Sequence, residues 1–374
     1  MAEFLYIHIP FCVRKCVYCD FLSVPYDEAL ARRYTDALCR ELQMKKGLAE
    51  ELKAVYMGGG TPTVLPDECL DQILACIAEH YDLAQNVEMT VEANPGTLTK
   101  AIMRTLLSGG VNRLSLGIQS FENSELRTLG RIHDAEAAII SAEMVRSAGM
   151  ENFSVDLMYG IPGQTVASWK HSLDQAVALS PRHISAYELT PAQKTPLKRS
   201  LDSGTISMPG EELILEMSDL AIDLLSASGY EQYEISNYSV PGYRCAHNMN
   251  YWDRGDYLAV GAGAHGFIGG FRTKNTCSVA GYLERLNNGA DPESEKTEIS
   301  CEDALKEFIF LGLRKTEGIR LADARNFGLD LVAASDEMLR LNLIELNANQ
   351  IRLTRKGQHI ANTVIVQVFQ NLGF

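Results

Sequence analysis

The length, composition and charge of the chain narrow the classes of protein to which it can belong. Its 374 residues are 46% hydrophobic and 22% charged, as in an ordinary soluble globular protein with one large core and an appendage. No run of about eighteen apolar residues is present, so we expect no hydrophobic membrane span. The formal net charge of −14 argues against a nucleic-acid partner, since a broad binding face for one needs clustered Lys and Arg.

The N-terminal residues and the cysteine content favour a cytoplasmic protein. MAEFLYIHIPFC lacks the basic, apolar and small-residue regions of a secretory signal, and its pattern predicts a buried strand that begins almost at Met1. Nine cysteines are an odd number, and they cluster instead of spreading as a disulfide framework would. In a reducing compartment such thiols bind metal or lie in the core.

Strand-like and helix-like segments alternate through the first half of the chain. FLYIHIP is followed by a helical pattern over residues 26–46, and LKAVYMGG by one over residues 66–81. VEMTVEAN, NRLSLGIQS, FSVDLMYG and HISAYELT continue the series, with helical segments such as 135–148 and 168–179 between them. About six such units predict an α/β fold with a parallel sheet covered by helices. In such sheets the chemistry gathers at the carboxyl ends of the strands.

The pattern changes after a helical stretch over residues 209–228. The segment that follows is rich in Tyr, Gly and His and has no clear period. The polar stretch NNGADPESEKTEIS then has the composition of a linker or an exposed loop. We assign residues 1–235 to the core and residues 236–295 to this middle segment and linker.

The remaining residues, 296–374, predict a separate C-terminal α+β domain. Helix-like segments begin at Cys301, and LIELNANQIRLT predicts a hairpin that turns at residues 347–349 before a closing helix. Helices followed by a two-stranded wing resemble a winged-helix module. Because the chain is acidic, we expect the wing to pack against the protein and not against DNA.

Three cysteines lie within eight residues, in CVRKCVYCDF. Cys12, Cys16 and Cys19 follow the first predicted strand, and Phe21 stands where a fourth cysteine would come next. A structural zinc site uses four ligands in separated pairs, a redox dithiol needs only two cysteines, and packing does not favour three thiols beside basic residues. An iron–sulfur cluster fits better, because three protein thiolates leave one iron open to another ligand.

The CxxxCxxC spacing resembles the signature of the radical SAM superfamily. The resemblance implies a partial (β/α)6 barrel in residues 1–235, a 4Fe–4S cluster on the three cysteines, and S-adenosylmethionine bound at the open iron. GGGTP at residues 58–62 is similar to the family's site for the methionine amino group, where glycines let the backbone approach a ligand. Glu92, at the end of the third strand, would accept from the same ligand, unless it is only an exposed carboxylate.

Further motifs resemble the coproporphyrinogen dehydrogenase-like branch of that superfamily. They are YIHIPFCVRKCVYCDF, GGGTPT, VEANPG, LSLGIQSF, LGRIHD, DLMYGIPGQT and CAHNMNYW. Matched residue by residue, they imply that the S-adenosylmethionine shell consists of Tyr6, Tyr18, Gly59, Gly60, Thr61, Glu92, Gln119, Arg131 and Asp156. Arg131 can bind a carboxylate through two hydrogen bonds and Asp156 can accept from ribose hydroxyls, although these two residues could instead pair with each other or cap helices.

Within this branch the sequence is more similar to the haem chaperones than to the dehydrogenases. The dehydrogenase pattern has a fourth cysteine where this chain has Phe21, and a longer N-terminal arm before the cluster. HNMNYW at residues 247–252 matches the HNxxYW motif of the haem chaperones. The motif implies that His247 is the haem ligand, since imidazole is a natural axial ligand of haem iron. Cys245 and His265 are the other candidates, and the sequence does not choose among the three.

The resemblance implies a haem chaperone that delivers haem to apo-haemoproteins of the respiratory chain. Because such acceptors are membrane-bound, we expect a cytoplasmic protein with peripheral contact to the membrane, together with a reductant protein for the cluster. The alternative is an oxygen-independent coproporphyrinogen III dehydrogenase, which would use the same cofactors for a radical oxidative decarboxylation. Radical modification of tRNA or a peptide is disfavoured by the acidity. We assign no catalytic residue from the sequence.

Overall fold

A computed structural model of the chain describes residues 1–347 and 349–374, and nine of the strands in these residues form one sheet. The strands are β1 (Ala2–Ile9), β2 (Phe11–Cys12), β3 (Val24–Pro25), β4 (Ala49–Gly59), β5 (Leu83–Ala93), β6 (Arg113–Gln119), β7 (Phe153–Tyr159), β8 (His183–Glu188), β9 (Glu231–Glu234), β10 (Asn237–Ser239), β11 (Leu258–Val260), β12 (His265–Ile268), β13 (Phe271–Asn275), β14 (Glu293–Glu298), β15 (Ile319–Arg320), β16 (Ile344–Asn347) and β17 (Gln350–Leu353).

The α-helices connect these strands and cover the sheet. They are α1 (Glu28–Lys45), α2 (Asp67–His80), α3 (Lys100–Ser108), α4 (Asn123–Thr128), α5 (Ala135–Ser147), α6 (Val166–Ala178), α7 (Pro196–Asp202), α8 (Glu211–Ala227), α9 (Ala246–Trp252), α10 (Val279–Asn287), α11 (Cys301–Gly312), α12 (Leu321–Asn326), α13 (Leu331–Ala334), α14 (Asp336–Arg340), α15 (Arg355–His359) and α16 (Ala361–Leu372).

The large sheet is the partial parallel barrel that the sequence predicts. Its order is β11-β1-β4-β5-β6-β7-β8-β10-β9, and the strands from β11 to β8 all run parallel. Two edges remain, at β11 and β9, so the described residues form an incomplete barrel. The predicted series of six strands is thus confirmed, and β11 adds a further parallel strand from a segment whose Gly-rich sequence gave no periodic signal.

The two faces of the barrel strands differ in chemistry. In β6, Leu114, Leu116 and Ile118 are fully buried in the apolar core under the helices. The alternate residues, beginning with Arg113 and Ser115, face the barrel interior and line a cavity there. Because side chains alternate across a strand, one apolar-looking segment supplies both the core and a polar interior.

Local capping fixes where the barrel helices begin. α1 starts two residues later than predicted because the Asp27 side chain accepts a hydrogen bond from the N–H of Leu30 and so becomes the N-cap. α6 starts two residues earlier because Thr165 and Ser168 form a capping box. These hydrogen bonds override the hydrophobic period at the helix ends.

The prediction of a linker at the end of the middle segment is wrong in part. Glu293–Glu298 forms β14, which pairs antiparallel with β13 in a three-stranded sheet. Most of its side chains are exposed and charged, so the strand carries no hydrophobic alternation that a sequence pattern could detect. The proposed boundaries also divide elements. The boundary between residues 295 and 296 falls inside β14. The boundary between residues 235 and 236 separates β10 from the barrel, although β10 pairs with β8 in the barrel sheet.

The C-terminal residues form their own apolar core and a small antiparallel sheet, as predicted. The sheet order is β15-β17-β16, and it packs with α11 and α16. The predicted hairpin turn at 347–349 includes residue 348, which lies outside the described residues. Arg355, at the start of α15, forms ion pairs with Asp219 and Asp223 of α8, which join this domain to the barrel. In the part of the chain that the structure describes, no helix combines the length and the apolar character needed to cross a membrane.

Candidate functional site

A cavity of about 580 Å³ lies at the carboxyl ends of the barrel strands, and its volume is within the range of small-molecule sites. It is bordered by the cysteine loop, by the glycine turn after β4, and by side chains of β5 to β8. The predicted cofactor residues that line it are Cys12, Cys16, Tyr18, Cys19, Gly59, Gly60, Thr61, Glu92, Gln119, Arg131 and Asp156. Tyr6 and His247 do not line it.

The three cysteines lie on one loop that starts at the end of β2, and all three thiols are free and partly buried. The N–H of Cys19 donates to the carbonyl of Cys16 over 3.3 Å, which forms the turn between them. Lys15 donates from Nζ to the carbonyl of Phe21 over 2.8 Å and closes the loop. Burial raises the pKa of the Cys12 and Cys19 thiols.

The donors on this loop are of the type that an iron–sulfur cluster binds. Within residues 1–347 and 349–374, no three His, Cys, Asp or Glu side chains converge closely enough to hold one ion. The thiols instead border a shared cavity and influence one another electrostatically. A cluster binds its thiolates at separate iron atoms, so it does not require convergence on one point.

The glycine turn after β4 leaves no room for side chains. Gly59 has a φ of +108°, and a Cβ atom on it would lie 2.3 Å from the ring of His8. A Cβ atom on Gly60 would lie 2.6 Å from the carbonyl oxygen of Phe11. The N–H of Gly60 also donates to the carbonyl of Ile9 over 2.8 Å. The glycines are therefore needed to bring this turn against the strand that leads into the cysteine loop.

Glu92 is held at the cavity wall by two donors. Its Oε1 accepts from the hydroxyl of Tyr56 over 2.8 Å, and its Oε2 accepts from the N–H of Gly59 over 3.0 Å. Burial nevertheless raises the pKa of Glu92 to about 7, and the two hydrogen bonds oppose that rise. The simple alternative of an exposed strand-end carboxylate is wrong, because the oxygens are partly buried and oriented by specific partners.

Asp156 lies on β7 opposite a ring of hydroxyl groups. Its carboxylate accepts from Ser115 over 2.8 Å and from Ser154 over 3.0 Å, and burial raises its pKa. Among the described residues it forms no ion pair with Arg131 or any other cation. Nearby, Gln119 ends β6 with a φ of 75°, a left-handed conformation that is strained for a non-glycine residue and is typical of functional sites.

Arg131 connects the cysteine loop to the barrel. It donates to Oδ1 of Asn94 over 2.6 Å, to the carbonyl of Gly117, and to Sγ of Cys16 over 3.3 Å. Its Nε is buried without a partner among the described residues. Burial raises the pKa of the neighbouring Tyr18 hydroxyl, and the Arg131 charge opposes this rise. The guanidinium is thus fixed beside the Cys16 thiol and borders the cavity.

Tyr6 contacts the rest of the site indirectly. Its hydroxyl bonds to Nδ1 of His8 over 2.9 Å, and Nε2 of the same ring bonds to the carbonyl of Leu22 over 2.9 Å, just after the cysteine loop. The position of Tyr6 therefore supports the loop through His8. The structure does not bring the Tyr6 ring to the cavity lining.

His247 lies in the barrel core and not at a surface. The side chain is 1% exposed, its ring stacks on Tyr56 with the centroids 5.1 Å apart, and Nε2 bonds to the hydroxyl of Tyr251 over 2.8 Å. Burial lowers the pKa of His247 to about 3. Its Nδ1 has no hydrogen-bond partner among the described residues. The ring is therefore neutral and enclosed by aromatic side chains.

The other two candidate haem ligands lie in different environments. Cys245 is fully buried, and its thiol donates to Glu88 over 3.5 Å. The same carboxylate accepts from the N–H of Ala246 over 3.0 Å and so satisfies the first turn of α9. His265 is exposed on β12, outside the barrel cavity. The structure does not bring His247, Cys245 and His265 together in one pocket.

Several cavity residues were not among the predicted site residues. Besides Tyr56 and Asn94, they include Arg113 and Ser115 on β6 and Asn248 on α9. The two β6 residues could have been predicted from the sequence. Polar residues at alternate positions of an otherwise apolar strand indicate that one face of the strand borders a polar interior. Asn248 lies in a segment without period, and no pattern in the sequence indicated its place.

Comparisons with known proteins agree with this architecture. The model of the radical SAM superfamily matches residues 6–176, and that of the HemN C-terminal domain matches residues 299–360. Among solved structures, coproporphyrinogen III oxidase (HemN) from Escherichia coli, a radical SAM enzyme, superposes with a TM-score of 0.85. That match covers 98% of this chain and 90% of the other, and at 20% identity it establishes the fold alone. Fold and site together define a radical SAM protein, as the cysteine spacing suggests.

Curated relatives define the family more narrowly. Heme chaperone HemW from Bacillus subtilis is 37% identical over 96% of this chain and 97% of its own. HemW from Lactococcus lactis is 35% identical, over 96% and 95%, and HemW from Escherichia coli is 37% identical over 82% of each chain. The chain belongs to the HemW family, which confirms the resemblance drawn from its motifs.

Proposed function

We propose that this protein is a haem chaperone that binds a 4Fe–4S cluster, S-adenosylmethionine and haem, and transfers the haem to apo-haemoproteins. The observation that carries the proposal is the identity of 37% with a heme chaperone over nearly the full length of both chains. The site geometry supports it, because three free thiols and a polar shell border one cavity of ligand size.

Cys12, Cys16 and Cys19 would hold the cluster, which supplies electrons to the S-adenosylmethionine bound beside it. The chain's own residues provide binding and orientation. Glu92, already aligned by two donors, would accept from amino or ribose groups of the ligand, and Asp156 from ribose hydroxyls. The remaining proposed contacts are Tyr18, Gly59, Gly60, Thr61, Gln119 and Arg131, with Tyr6 acting through His8.

For haem, His247 remains the ligand that we propose, and its burial sets a condition on binding. A ring that is 1% exposed reaches a haem iron only if α9 moves away from Tyr56. Nδ1, which has no partner among the described residues, would then bind the iron, and Nε2 could keep its bond to Tyr251 on the same helix. Cys245 is subject to the same condition, whereas His265 is accessible without a change. Haem binding through the HNxxYW motif is thus coupled to a displacement of α9.

The partners follow from the same proposal. The haem acceptor would be a respiratory, membrane-bound apo-haemoprotein, and a separate reductant protein would supply electrons to the cluster. We place the chaperone in the cytoplasm, in peripheral contact with the membrane where the acceptor lies, and expect no nucleic-acid partner.

An oxygen-independent coproporphyrinogen III dehydrogenase is the second candidate. It is favoured by one observation, the superposition of nearly the whole chain on the HemN fold. The complete polar shell around the cavity is also compatible with it.

Anaerobic reconstitution followed by a haem titration separates the two functions, with coproporphyrinogen III turnover measured in parallel. Stoichiometric haem binding without turnover is expected, together with reduced binding in His247→Ala and unchanged binding in the matched variant His265→Ala. Turnover without retained haem would replace the chaperone by the dehydrogenase. Unchanged haem binding in His247→Ala would reject that residue as the ligand but leave the chaperone function intact.

A further inference from the structure

Arg113, the first residue of β6, is a buried cation that borders the cavity and has no hydrogen-bond or ion-pair partner among the residues that the structure describes. Its side chain is 2% exposed and lines the cavity on the same strand face as Ser115. Within residues 1–347 and 349–374, the guanidinium forms no hydrogen bond and no ion pair within 4.0 Å, and its Nε is buried without a partner. Burying an arginine in this state is unfavourable unless other groups neutralise and bind it.

The acidic groups around Arg113 are already engaged elsewhere. Glu88 accepts from the first amides of α9, Glu92 from Tyr56 and a backbone N–H, and Asp156 from serine hydroxyls. Burial acts to lower the pKa of Arg113, but the electrostatic effects of Cys245, Glu88, Tyr56 and Tyr233 outweigh it and raise that pKa. Glu92 and Asp156 also interact with the Arg113 charge at a distance. The guanidinium therefore stays charged, and its five donors remain available.

The HNxxYW motif contributes a second polar group to this part of the cavity. Asn248, the next residue after His247, lines the cavity, and no side-chain hydrogen bond is formed by it among the described residues. Arg113 and Asn248 therefore border the same cavity, and the Arg113 charge also acts on Cys245 and His247 at the start of α9. A planar guanidinium and an amide that border one cavity, both without a side-chain hydrogen bond among the described residues, match the donors that a carboxylate prefers.

We propose that Arg113, assisted by Asn248, binds the carboxylate of a ligand inside the barrel. This inference rests on the proposed function, which offers two sources of that group: a propionate of the haem and the carboxylate of S-adenosylmethionine. A propionate bound here would place the porphyrin edge against the HNxxYW helix and link the motif to the barrel cavity.

The test compares a fluorescent porphyrin dicarboxylate, mesoporphyrin IX, with its dimethyl ester, which has the same ring and no anionic group. Binding to the full-length protein is followed by fluorescence for wild type, Arg113→Gln and Arg113→Lys. Arg182→Gln, a surface arginine paired with exposed Glu151, is the matched control. S-Adenosylmethionine affinity is measured anaerobically on the same reconstituted proteins, and thermal unfolding checks the fold.

For a propionate source, wild type binds the acid about 10- to 100-fold more tightly than the ester, as expected for buried charge-assisted hydrogen bonds. Arg113→Gln then loses this preference but keeps its ester affinity, while Arg113→Lys keeps the charge and recovers part of the preference. A loss of at least tenfold in S-adenosylmethionine affinity, with the acid preference intact, identifies the other source.

If neither affinity changes in Arg113→Gln, or if only the unfolding temperature falls, Arg113 is structural and the proposal is wrong. If Arg113→Gln does not fold, Arg113→Lys decides. Its ammonium lacks the planar fork of a guanidinium, so the proposal is wrong if both the acid preference and the S-adenosylmethionine affinity of Arg113→Lys equal those of wild type. Failure of the wild type to bind either porphyrin would count against haem binding itself, and the S-adenosylmethionine measurement would still decide the role of Arg113.

Discussion

The hydroxyl of Tyr56 donates a 2.8 Å hydrogen bond to Oε1 of Glu92 at the cavity wall. The ring of the same tyrosine stacks against His247 with the centroids 5.1 Å apart. The proposed haem ligand and a proposed S-adenosylmethionine contact therefore share one side chain between them. A movement of α9 that frees His247 would remove the packing that holds Tyr56, so occupancy of one site is expected to alter the other.

Substitution of Glu92 by glutamine tests the cavity side of this relationship. In the variant, one of the two groups that donate to residue 92 would face an amide NH2 instead of an oxygen. That buried donor would lose its acceptor, which costs about 1–3 kcal/mol of folding free energy. We expect S-adenosylmethionine affinity to fall at least tenfold, as measured by anaerobic calorimetry. Glu79→Gln, at an exposed position of α2, is the control. Equal affinities for the two variants would remove Glu92 from the binding shell.

The glycine turn can be tested with a pair of alanine substitutions. Gly59→Ala combines a φ of +108° with a Cβ atom 2.3 Å from the His8 ring, whereas Gly96→Ala has a φ of +85° and nothing within 4 Å. We expect urea unfolding to show a loss of about 1 kcal/mol for Gly96→Ala and of at least about 3 kcal/mol for Gly59→Ala. Similar losses of stability for both variants would mean that the turn can shift to accommodate a Cβ atom and that the close approach to His8 does not contribute to stability.

The proposal that the cysteine loop holds a cluster is tested by iron content. Cys12→Ala should reduce the iron and sulfide retained after anaerobic reconstitution, together with the visible absorbance, because the cluster would keep only two protein thiolates. Cys277→Ala, which removes an exposed thiol outside the loop, should leave all of them unchanged. A full complement of iron in Cys12→Ala would show that the cluster does not depend on this thiolate.

The Glu88 carboxylate caps α9 and so connects the HNxxYW motif to the barrel. Its contribution can be tested by substitution. Glu88→Ala deprives the N–H groups of Ala246 and His247 of their acceptor, at an expected cost of about 0.5–2 kcal/mol. Hydrogen exchange at these two amides should accelerate, whereas it should not in Glu79→Ala. Unchanged exchange would mean that packing alone holds the start of this helix.

Burial of His247 predicts a definite dependence of stability on pH. The pKa of His247 in the folded protein is about 3, below the ordinary value of 6.5. As the pH falls below 6.5, this imidazole therefore becomes protonated in the unfolded chain but stays neutral in the folded protein. This lowers the free energy of unfolding by about 2 kcal/mol between pH 7 and pH 5. His247→Gln should lose that part of the pH dependence in urea titrations, and exposed His171→Gln should retain it. The same slope in both variants would contradict the neutral buried ring.

The sequence predicted those features that depend on local pattern. The six barrel strands follow from short apolar runs, and Cys12 and Glu92 were placed at the cavity because parallel strands bring their carboxyl ends together. The start of α9 could not be predicted, since its cap is Glu88, more than 150 residues earlier in the chain. The sequence did not predict β14, because both faces of this strand are largely exposed. Its residues are mostly charged and show no alternation of apolar and polar side chains.

The burial of His247 depends on tertiary packing in the same way. The motif identifies the residue, but the ring stacks on Tyr56 of β4, and only the folded barrel brings β4 against α9. Arg113 differs, because its alternation with Leu114 and Leu116 is visible in the sequence. The sequence does not show that its guanidinium lacks a partner among the described residues, because that depends on how each neighbouring carboxylate is already bonded.

Transfer of bound haem tests the central claim most directly. The reconstituted protein is loaded with one equivalent of haem and mixed anaerobically with an apo-cytochrome of the respiratory chain in lipid nanodiscs, and the absorbance of the acceptor is followed. Apomyoglobin serves as a sink that reports passive release. We predict transfer to the cytochrome that is faster than release to apomyoglobin and that is reduced in His247→Ala. Transfer no faster than passive release would contradict a chaperone function.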